Sequence, residues 1–540
     1  MFLTVLTYLL SLPLGTMLIG GFLILISVIG GVASNNRRFA LWLTDLLIQY
    51  RWLIVIPVVL PLSALFDIYW YFRYLVVVRM RSAPLKHAER VADIQAQIKV
   101  WRDNGSEGLL CTARPTWLCM SPRLSTYKKK CNQIKIELQD ILEVDTVNKV
   151  VTVEPLVNMG HLTRELKAHG HTLLVTPEFE DLTVGGLIAG YGVEGSSHKY
   201  GLFCDLVEWY EVVIADGSVV ECTREQNAEL FHSLPWSYGS LGFITAVRLR
   251  IRPVKPWVHL QYHPTNTWEE MVSKFEEFTM CENAPEFVEA ILYDTERGVL
   301  MTGEYADQPE YSKINSIGWW FKPWFYKHVE SFCGNDHVAD EYIPVRQYYH
   351  RHTRSIFWEL ELIVPFGNSA WFRYLLGWLL PPKVAFLKLT QGELVRKYYE
   401  EQHVVQDLLV PLTELKSSLE MCHEIFEVYP IWLAAHKLFR TGGMLKPGDE
   451  YKDWEMYVDV GIWNVPKAKD FDGRESVRRM ERWALEHRTY QTLYADTYMS
   501  REEFWRMFSG DLYHKLRKQY NAEGVFMDVY DKVCRQVAYK

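Results

Sequence analysis

Residues 1–36 carry no charged side chain, and Leu, Ile, Val and Phe dominate from Met1 to Val32. That run exceeds the roughly 20 residues a helix needs to cross a bilayer, and Arg37-Arg38 closes it. A second apolar run covers Trp52 to Phe66 and continues around Asp67 to Phe72. Arg51 precedes it and Arg73, Arg79 and Arg81 follow; Trp52, Tyr69, Trp70 and Tyr71 stand where interfacial aromatics would. Pro57 and Pro61 predict an irregular helix. Gly31-Val-Ala33 offers a small-x-small cleavage site, but no basic segment precedes the apolar run, as a signal peptide requires. If only the second run spans, the arginine excess after it places the C-terminal part in the cytosol. If both span, the loop with Arg37, Arg38 and Arg51 pulls the other way.

Beyond residue 82 the pattern changes. Ala88, Val91, Ile94, Ile98 and Trp101 recur at three- and four-residue steps, which predicts an amphipathic helix from Ala83 to Trp101. Strand-like runs follow at Leu109–Cys111, Ile134–Ile136 and Val150–Glu154, then a helix from Met159 to His169 with Gly170 as its C-cap. Glu211–Ala215 and Ser218–Glu221 flank Asp216-Gly217, the expected tight turn of a hairpin. Leu241–Pro253 gives a further strand. The order is α+β, not alternating βαβ. Residues 256–455 are mixed, with aromatic clusters such as Trp319–Tyr326, and the tail reads as helices over Ser476–His487 and Arg501–Tyr520.

The chain has 540 residues, a formal charge of -8, 49% apolar and 23% charged residues. These values exclude long disorder, a collagen-like chain and a polytopic transporter. The acidic balance removes the basic footprint of a nucleic-acid binder. Nine cysteines stand with no Cys-x-x-Cys spacing, so a zinc ribbon or a dense disulfide framework lacks support. Scattered free thiols fit a reducing compartment. With 20 Trp, 31 Tyr and 25 Phe, the chain can line a wide apolar pocket or a membrane-facing surface as readily as a core.

The richest local signal is Asp181-Leu-Thr-Val-Gly-Gly-Leu-Ile-Ala-Gly-Tyr-Gly-Val-Glu-Gly-Ser-Ser-His-Lys-Tyr-Gly201. Gly190-x-Gly192-x-x-Gly195 matches the dinucleotide fingerprint in form. A Rossmann unit needs a strand before it and a crossover helix after it, and ten residues of polar, turn-like chain leave no room for that helix. Glycines instead let a backbone approach a flat ring or a pyrophosphate closely, and their N–H groups can form anion-binding concavities. A glycine-rich surface loop is the plainer alternative.

This stretch resembles the FAD-binding segment of the vanillyl-alcohol-oxidase (PCMH-type) flavoproteins. A closer resemblance, from about Arg51 to the C-terminus, is to the delta(24)-sterol reductase (Diminuto/seladin) family. It runs through Asp140–Asp145, Val153–Val157, Asp181–Leu187, Ser196–Leu202, Tyr348–Arg354, Pro365–Gly367, Leu389–Glu393, Val428–Trp432 and Arg501–Trp505. The resemblance implies a cofactor-binding segment of Thr183, Val184, Gly185, Gly186, Leu187, Ile188, Ala189, Gly190, Tyr191, Gly192, Val193, Glu194 and Gly195. Ser196 and Ser197 extend it with hydroxyl donors. Arg114, in Arg114-Pro-Thr-Trp117, matches the loop expected at the FAD pyrophosphate. That loop holds no histidine, which implies noncovalent FAD. NADPH as reductant, a sterol as substrate and the endoplasmic reticulum membrane as location, with the catalytic body in the cytosol, follow from the same resemblance.

The expected fold is therefore α+β: a membrane anchor region (1–82), a PCMH-type FAD-binding domain (83–255), a substrate cap lobe (256–455) and a C-terminal helical segment (456–540) packing on the FAD lobe. Tyr494 and Tyr498 are candidate proton donors, with packed structural tyrosines as the alternative; His436 and Lys437 are weaker candidates. Arg351 and Arg354 suit either a grip on the NADPH 2′-phosphate or structural ion pairs. His350 and His352 lack a third ligand for a metal. Two other functions are open: a sugar or lactone oxidase on the same fold, and a non-catalytic membrane scaffold.

Overall fold

The computed structural model describes residues 37–80, 83–121 and 126–535. The first apolar run, with both its spanning and its signal-peptide readings, lies outside the described residues. The second run forms one continuous rod: an α-helical turn at Trp52–Ile54, a π-helical stretch at Val55–Val59 and an α-helix from Leu60 to Met80. Pro57 has no N–H to donate and its ring crowds the carbonyl four residues back, so the helix widens by one residue there. Trp52–Val77 is long and apolar enough to cross a membrane by length and composition. Its Val55, Val59, Leu60 and Ser63 are buried against the rest of the protein.

Short parallel strands β1 (Leu110–Thr112) and β2 (Asn132–Ile134) pair with each other. A first antiparallel sheet is built from β3 (Ile141–Asp145), β4 (Val150–Val153), β5 (His171–Leu173), β6 (Val207–Val213), β7 (Val219–Thr223) and β8 (Phe243–Pro253). Its order is β3-β4-β8-β6-β7, and β5 pairs with the last residues of β8. The second antiparallel sheet holds β9 (Trp257–Thr265), β10 (Phe287–Leu292), β11 (Gly298–Ala306), β12 (Ala339–Pro344), β13 (Val404–Pro411), β14 (Ile431–Phe439), β15 (Trp454–Asn464) and β16 (Tyr490–Gln491). Its order is β12-β9-β11-β10-β14-β15-β13-β16.

The expected hairpin is β6–β7: Gly217 sits at φ +85° in the turn, and Asp216 Oδ1 accepts the Ser218 N–H. The predicted first helix runs from Ala83 to Asp103 and buries Val91, Ile94, Ile98 and Trp101 against β6 and β8, leaving Ala88 outside. Its polar edge is also anchored: Arg90 reaches Glu154 and Asp140 at 2.7 Å each. The helix predicted over Arg501–Tyr520 is two helices, Arg501–Met507 and Asp511–Gln519. A Cβ at Gly510 would stand 2.8 Å from the Trp505 ring, so the break brings backbone and indole into contact.

The boundary expected at 455/456 falls inside β15, so residues 456–491 contribute strands to the second sheet. The last segment returns to the first sheet: Leu110 N–H donates to Val525 O, and Tyr513 bonds Ser240 at 2.7 Å. The two sheets meet at Arg351. Its guanidinium is fully buried and lies 2.5 Å from Glu194, at the end of the glycine segment, and 2.6 Å from Glu289 on β10. Removing one partner of a buried ion pair strands the remaining charge, at about 3–5 kcal/mol. Arg351→Met is therefore expected to lower unfolding stability by that amount in a denaturant titration, whereas Arg346→Met, at a part-exposed pair with Glu180, should cost about 1 kcal/mol or less.

Candidate active site

The glycine segment folds as a six-residue helix, Val184–Ala189, followed by an extended turn and a four-residue helix, Ser197–Tyr200. A strand does not precede it and a crossover helix does not follow, so the fingerprint spacing of Gly190, Gly192 and Gly195 belongs to no Rossmann unit. Two of the glycines are required by packing. A Cβ on Gly185 would stand 2.8 Å from Pro155, and one on Gly190 would stand 2.8 Å from Gly186 O. With the backbone so close to its neighbours, the other surface of the segment is left as a smooth wall.

That wall borders a cavity of about 650 Å³, within the range of small-molecule and cofactor sites. Thr183, Gly185, Gly186, Leu187, Ala189, Gly190, Tyr191, Gly192 and Val193 line it, and so does Arg114. The remaining residues of the expected segment turn away. Val184 and Ile188 point into the core. Glu194 is taken up by Arg351, Ser196 donates its hydroxyl to Leu174 O, Ser197 accepts the Glu194 N–H, and Gly195 O accepts the Val288 N–H. The cavity-lining part of the segment thus ends at Val193, because Glu194 and Gly195 are spent joining the two sheets and Ser196 and Ser197 bond locally.

One region of the cavity is basic. Arg114, Lys128, Lys388 and Lys532 all line it, and none forms an ion pair among the described residues. The lysines donate instead to backbone carbonyls: Lys128 to Arg114 O at 2.8 Å, Lys532 to Tyr238 O at 2.9 Å and Lys388 to Cys119 O at 2.5 Å. Arg114 Nε is buried without a partner. Burial pushes all four toward their neutral forms, Lys388 and Lys532 down to about 8. Four buried cations that lack an anion fit a pyrophosphate, and this is where the described residues would hold the FAD diphosphate.

The other region is acidic and aromatic. Tyr494 donates its hydroxyl to Asp407 and accepts from Trp463 Nε1 at 3.1 Å. Asp459 is fully buried, and neither of its oxygens meets a hydrogen-bond partner among the described residues. Burial raises Asp407 to about 7, and burial with the neighbouring Asp407 holds Asp459 well above the carboxylate range. Burial and then Asp407 push the Tyr494 phenol up. Glu178, also on the wall, is raised to about 8 by burial and by Glu194. Phe357, Trp432 and Trp463 complete this region, with ring centroids 4.6 Å apart for Phe357 and Trp463.

Tyr494 and Tyr498 both line the cavity; Tyr498 accepts a hydrogen bond from Arg535 at 2.5 Å. Arg351 is an ion-paired structural residue, and Arg354 donates to Lys322 O and Ile317 O, so neither guanidinium is offered to a phosphate. His350 and His352 do not converge: His350 meets Thr163 at 2.8 Å, while His352 stacks on Phe357 at 4.1 Å. His436 is buried outside the cavity wall, pushed down to about 3 by burial, and Lys437 lies over Trp454.

An FAD binding domain family model matches residues 86–223, the part of the chain that holds Arg114 and the glycine wall. The delta(24)-sterol reductase of Rattus norvegicus is 50% identical over 504 residues, covering 92% of this chain and 97% of the relative. The chain belongs to the delta(24)-sterol reductase family. The Arabidopsis thaliana delta(24)-sterol reductase is 43% identical over 530 residues, covering 92% and 93% of the two chains. The L-gulonolactone oxidase of Bos taurus is 34% identical over 125 residues, 23% of this chain.

With the diphosphate held by the basic cluster, FAD affinity is expected to depend on pH. A bound diphosphate favours the charged ammonium, and in the free protein Lys388 and Lys532 lose their protons near pH 8. Affinity for FAD should therefore be level below about pH 8 and fall as pH rises above it, read by quenching of flavin fluorescence. Lys388→Met should raise the FAD Kd about tenfold, the worth of one charge-assisted hydrogen bond, and flatten that pH dependence.

Proposed function

We propose that the chain is a membrane-bound flavoprotein that reduces the C24–C25 side-chain double bond of sterols, with FAD as cofactor and NADPH as reductant, in sterol biosynthesis. The observation that carries the reading is the joining of the two regions in one cavity. Unpaired buried cations suit a diphosphate, and beside them lies an aromatic chamber whose polar groups are proton-bearing. Reduction of an isolated alkene consumes a hydride and a proton. When bound, FAD supplies the two-electron chemistry, and the chain must supply the rest.

Tyr494 is the proposed proton donor and Asp407 the group that recharges it. When Asp407 is protonated the Tyr494–Asp407 hydrogen bond reverses, the carboxyl donating to the phenol oxygen, which frees the phenol's own hydrogen for the alkene carbon. Asp459, held neutral nearby, adds no negative charge that would oppose delivery. Trp432, Trp463 and Phe357 exclude water and offer an apolar face to the sterol side chain. The similarity to a lactone oxidase covers 23% of this chain against 92% for the sterol reductase, so the oxidase alternative is the poorer fit. All nine cysteines are free thiols, which supports a body facing the cytosol at the endoplasmic reticulum. Asn104, in an Asn-Gly-Ser sequon, is exposed just after the first amphipathic helix; a body in the lumen should carry a glycan there, and a glycan-free Asn104 is the expected result.

The deciding experiment is anaerobic spectroscopy of the detergent-purified protein. NADPH should bleach a flavin band and a C24-unsaturated sterol should restore it; restoration by oxygen alone would favour an oxidase, and a missing band after FAD addition would favour the scaffold. In the same assay Tyr494→Phe and Asp407→Asn should slow sterol-driven reoxidation on the order of a hundredfold while bleaching by NADPH persists. Because the acid must be protonated, reoxidation by sterol should be level below about pH 7 and fall above it as Asp407 ionises. Asp407→Asn should lack that limb.

A further inference from the structure

The helix Trp52–Val77 is about 39 Å long at 1.5 Å per residue, and it is tied to the body along its whole length. Trp52 packs on Phe366 with centroids 5.2 Å apart, and Ser63 accepts the Lys383 N–H at 2.9 Å. Phe66 meets Phe386 at 5.5 Å, Arg73 pairs with Asp140 at 3.0 Å, and Tyr74 packs on His161 at 4.2 Å. A helix held this way at its start, middle and end cannot cross a bilayer unless Asp140, Lys383 and their neighbours enter the hydrocarbon, where unsolvated charge is costly.

Its opposite face is apolar and uncovered. Leu65, Ile68, Phe72 and Val76 recur at three- and four-residue steps and are each more than half exposed. The two charged residues of the stretch, Asp67 and Arg73, both turn to partners on the body, Lys383 and Asp140. The surface continues onto Trp371, Tyr374, Leu375 and Trp378, all 54–66% exposed, and onto Trp42 of the helix Arg37–Gln49. Monomeric proteins rarely leave a contiguous apolar surface of this kind in water. The chain outside the described residues enters at Arg37, and residues 1–36 carry no charge, so the neighbouring chain is itself suited to lipid.

The same surface adjoins the cavity. The short helix Val384–Leu389 stands between them: Val384, Leu387 and Lys388 line the cavity, while Phe386 faces Phe66 and Leu387 O accepts from Arg51. We propose that the Trp52–Val77 helix and the Trp371–Trp378 surface lie flat in one leaflet of a bilayer, and that the sterol enters the cavity from that leaflet past Val384–Leu389. This deepens the membrane-bound reductase reading by giving the attachment its geometry and the substrate its route. In-plane helices of this type bury one apolar face at the headgroup–acyl boundary.

The test uses the full-length holoenzyme in phosphatidylcholine vesicles, with nitroxide labels at Leu53→Cys, Leu65→Cys or Val76→Cys in a background whose partly exposed cysteines are replaced. Oxygen and nickel-complex accessibility should place all three labels at one shallow depth. A deep Leu65 label with the other two near opposite faces would overturn the proposal in favour of a span. All three labels in water would overturn it in favour of coverage by residues 1–36 or by a second copy. For the route, L65E/I68E/F72E should lower turnover of vesicle-embedded sterol about tenfold or more, with bleaching by NADPH retained; unchanged turnover would overturn the route. Bleaching is read on every sample, so a protein that docks as expected yet never reduces its flavin would count against the reductase reading and leave the docking standing.

Discussion

Arg351 sits without solvent between Glu194 and Glu289, and the two sheets are registered through it. Glu289 also accepts from Trp432 at 2.9 Å, and Trp432 is part of the cavity wall. Burial works against every charge in this group, but Arg351 is strong enough to hold Glu289 well below the carboxylate range. The triad is expensive to assemble and more expensive to break. Its position explains why the glycine segment ends where it does. Up to Val193 the chain presents backbone to the cavity; from Glu194 it must meet the second sheet.

The cavity then holds two opposed environments, each assembled from parts far apart in the sequence. Arg114 and Lys128 come from the segments around β1 and β2, while Asp407 and Asp459 stand on adjacent strands of the second sheet. Low-polarity surroundings act on both sets in the same sense, toward neutrality. For the cations that leaves an unmet demand for an anion. For the carboxyl groups it leaves protons in place at neutral pH. A single physical cause, desolvation, thus prepares one region to hold a charged cofactor and the other to give up a proton.

Much of the first sheet was legible in the chain. Asp216-Gly217 between β-branched runs marks the hairpin, and the spacing from Val91 to Trp101 marks the helix covering it. Thr183–Gly195 could be read as a segment of close backbone approach because so many glycines cluster there, though not that its cavity-lining part stops at Val193, and Tyr494 stood out within a local aromatic pair. The order of the second sheet was not legible, since β14 pairs on one side with β10, far away in sequence, and on the other with its successor β15. Lys128 looked like part of an ordinary charged run, Lys128-Lys-Lys130, and Lys388 and Lys532 had no local signature at all. Asp407 did leave a trace, as the lone carboxylate inside an apolar strand, a pattern that usually marks a buried functional group; Asp459 shares its strand with Glu455. The π-turn at Pro57 was foreseeable as irregularity, but whether the helix crosses or lies along the body depends on partners such as Asp140 and Lys383.

The position of Lys532 sets an order of events. It lies in the short helix Val529–Val533 and bonds the backbone of residues 238 and 239 across the basic end of the cavity. During synthesis the helix Leu60–Met80 leaves the ribosome hundreds of residues before this lysine does. The basic end of the cavity therefore stays open until the chain has been made as far as Val533.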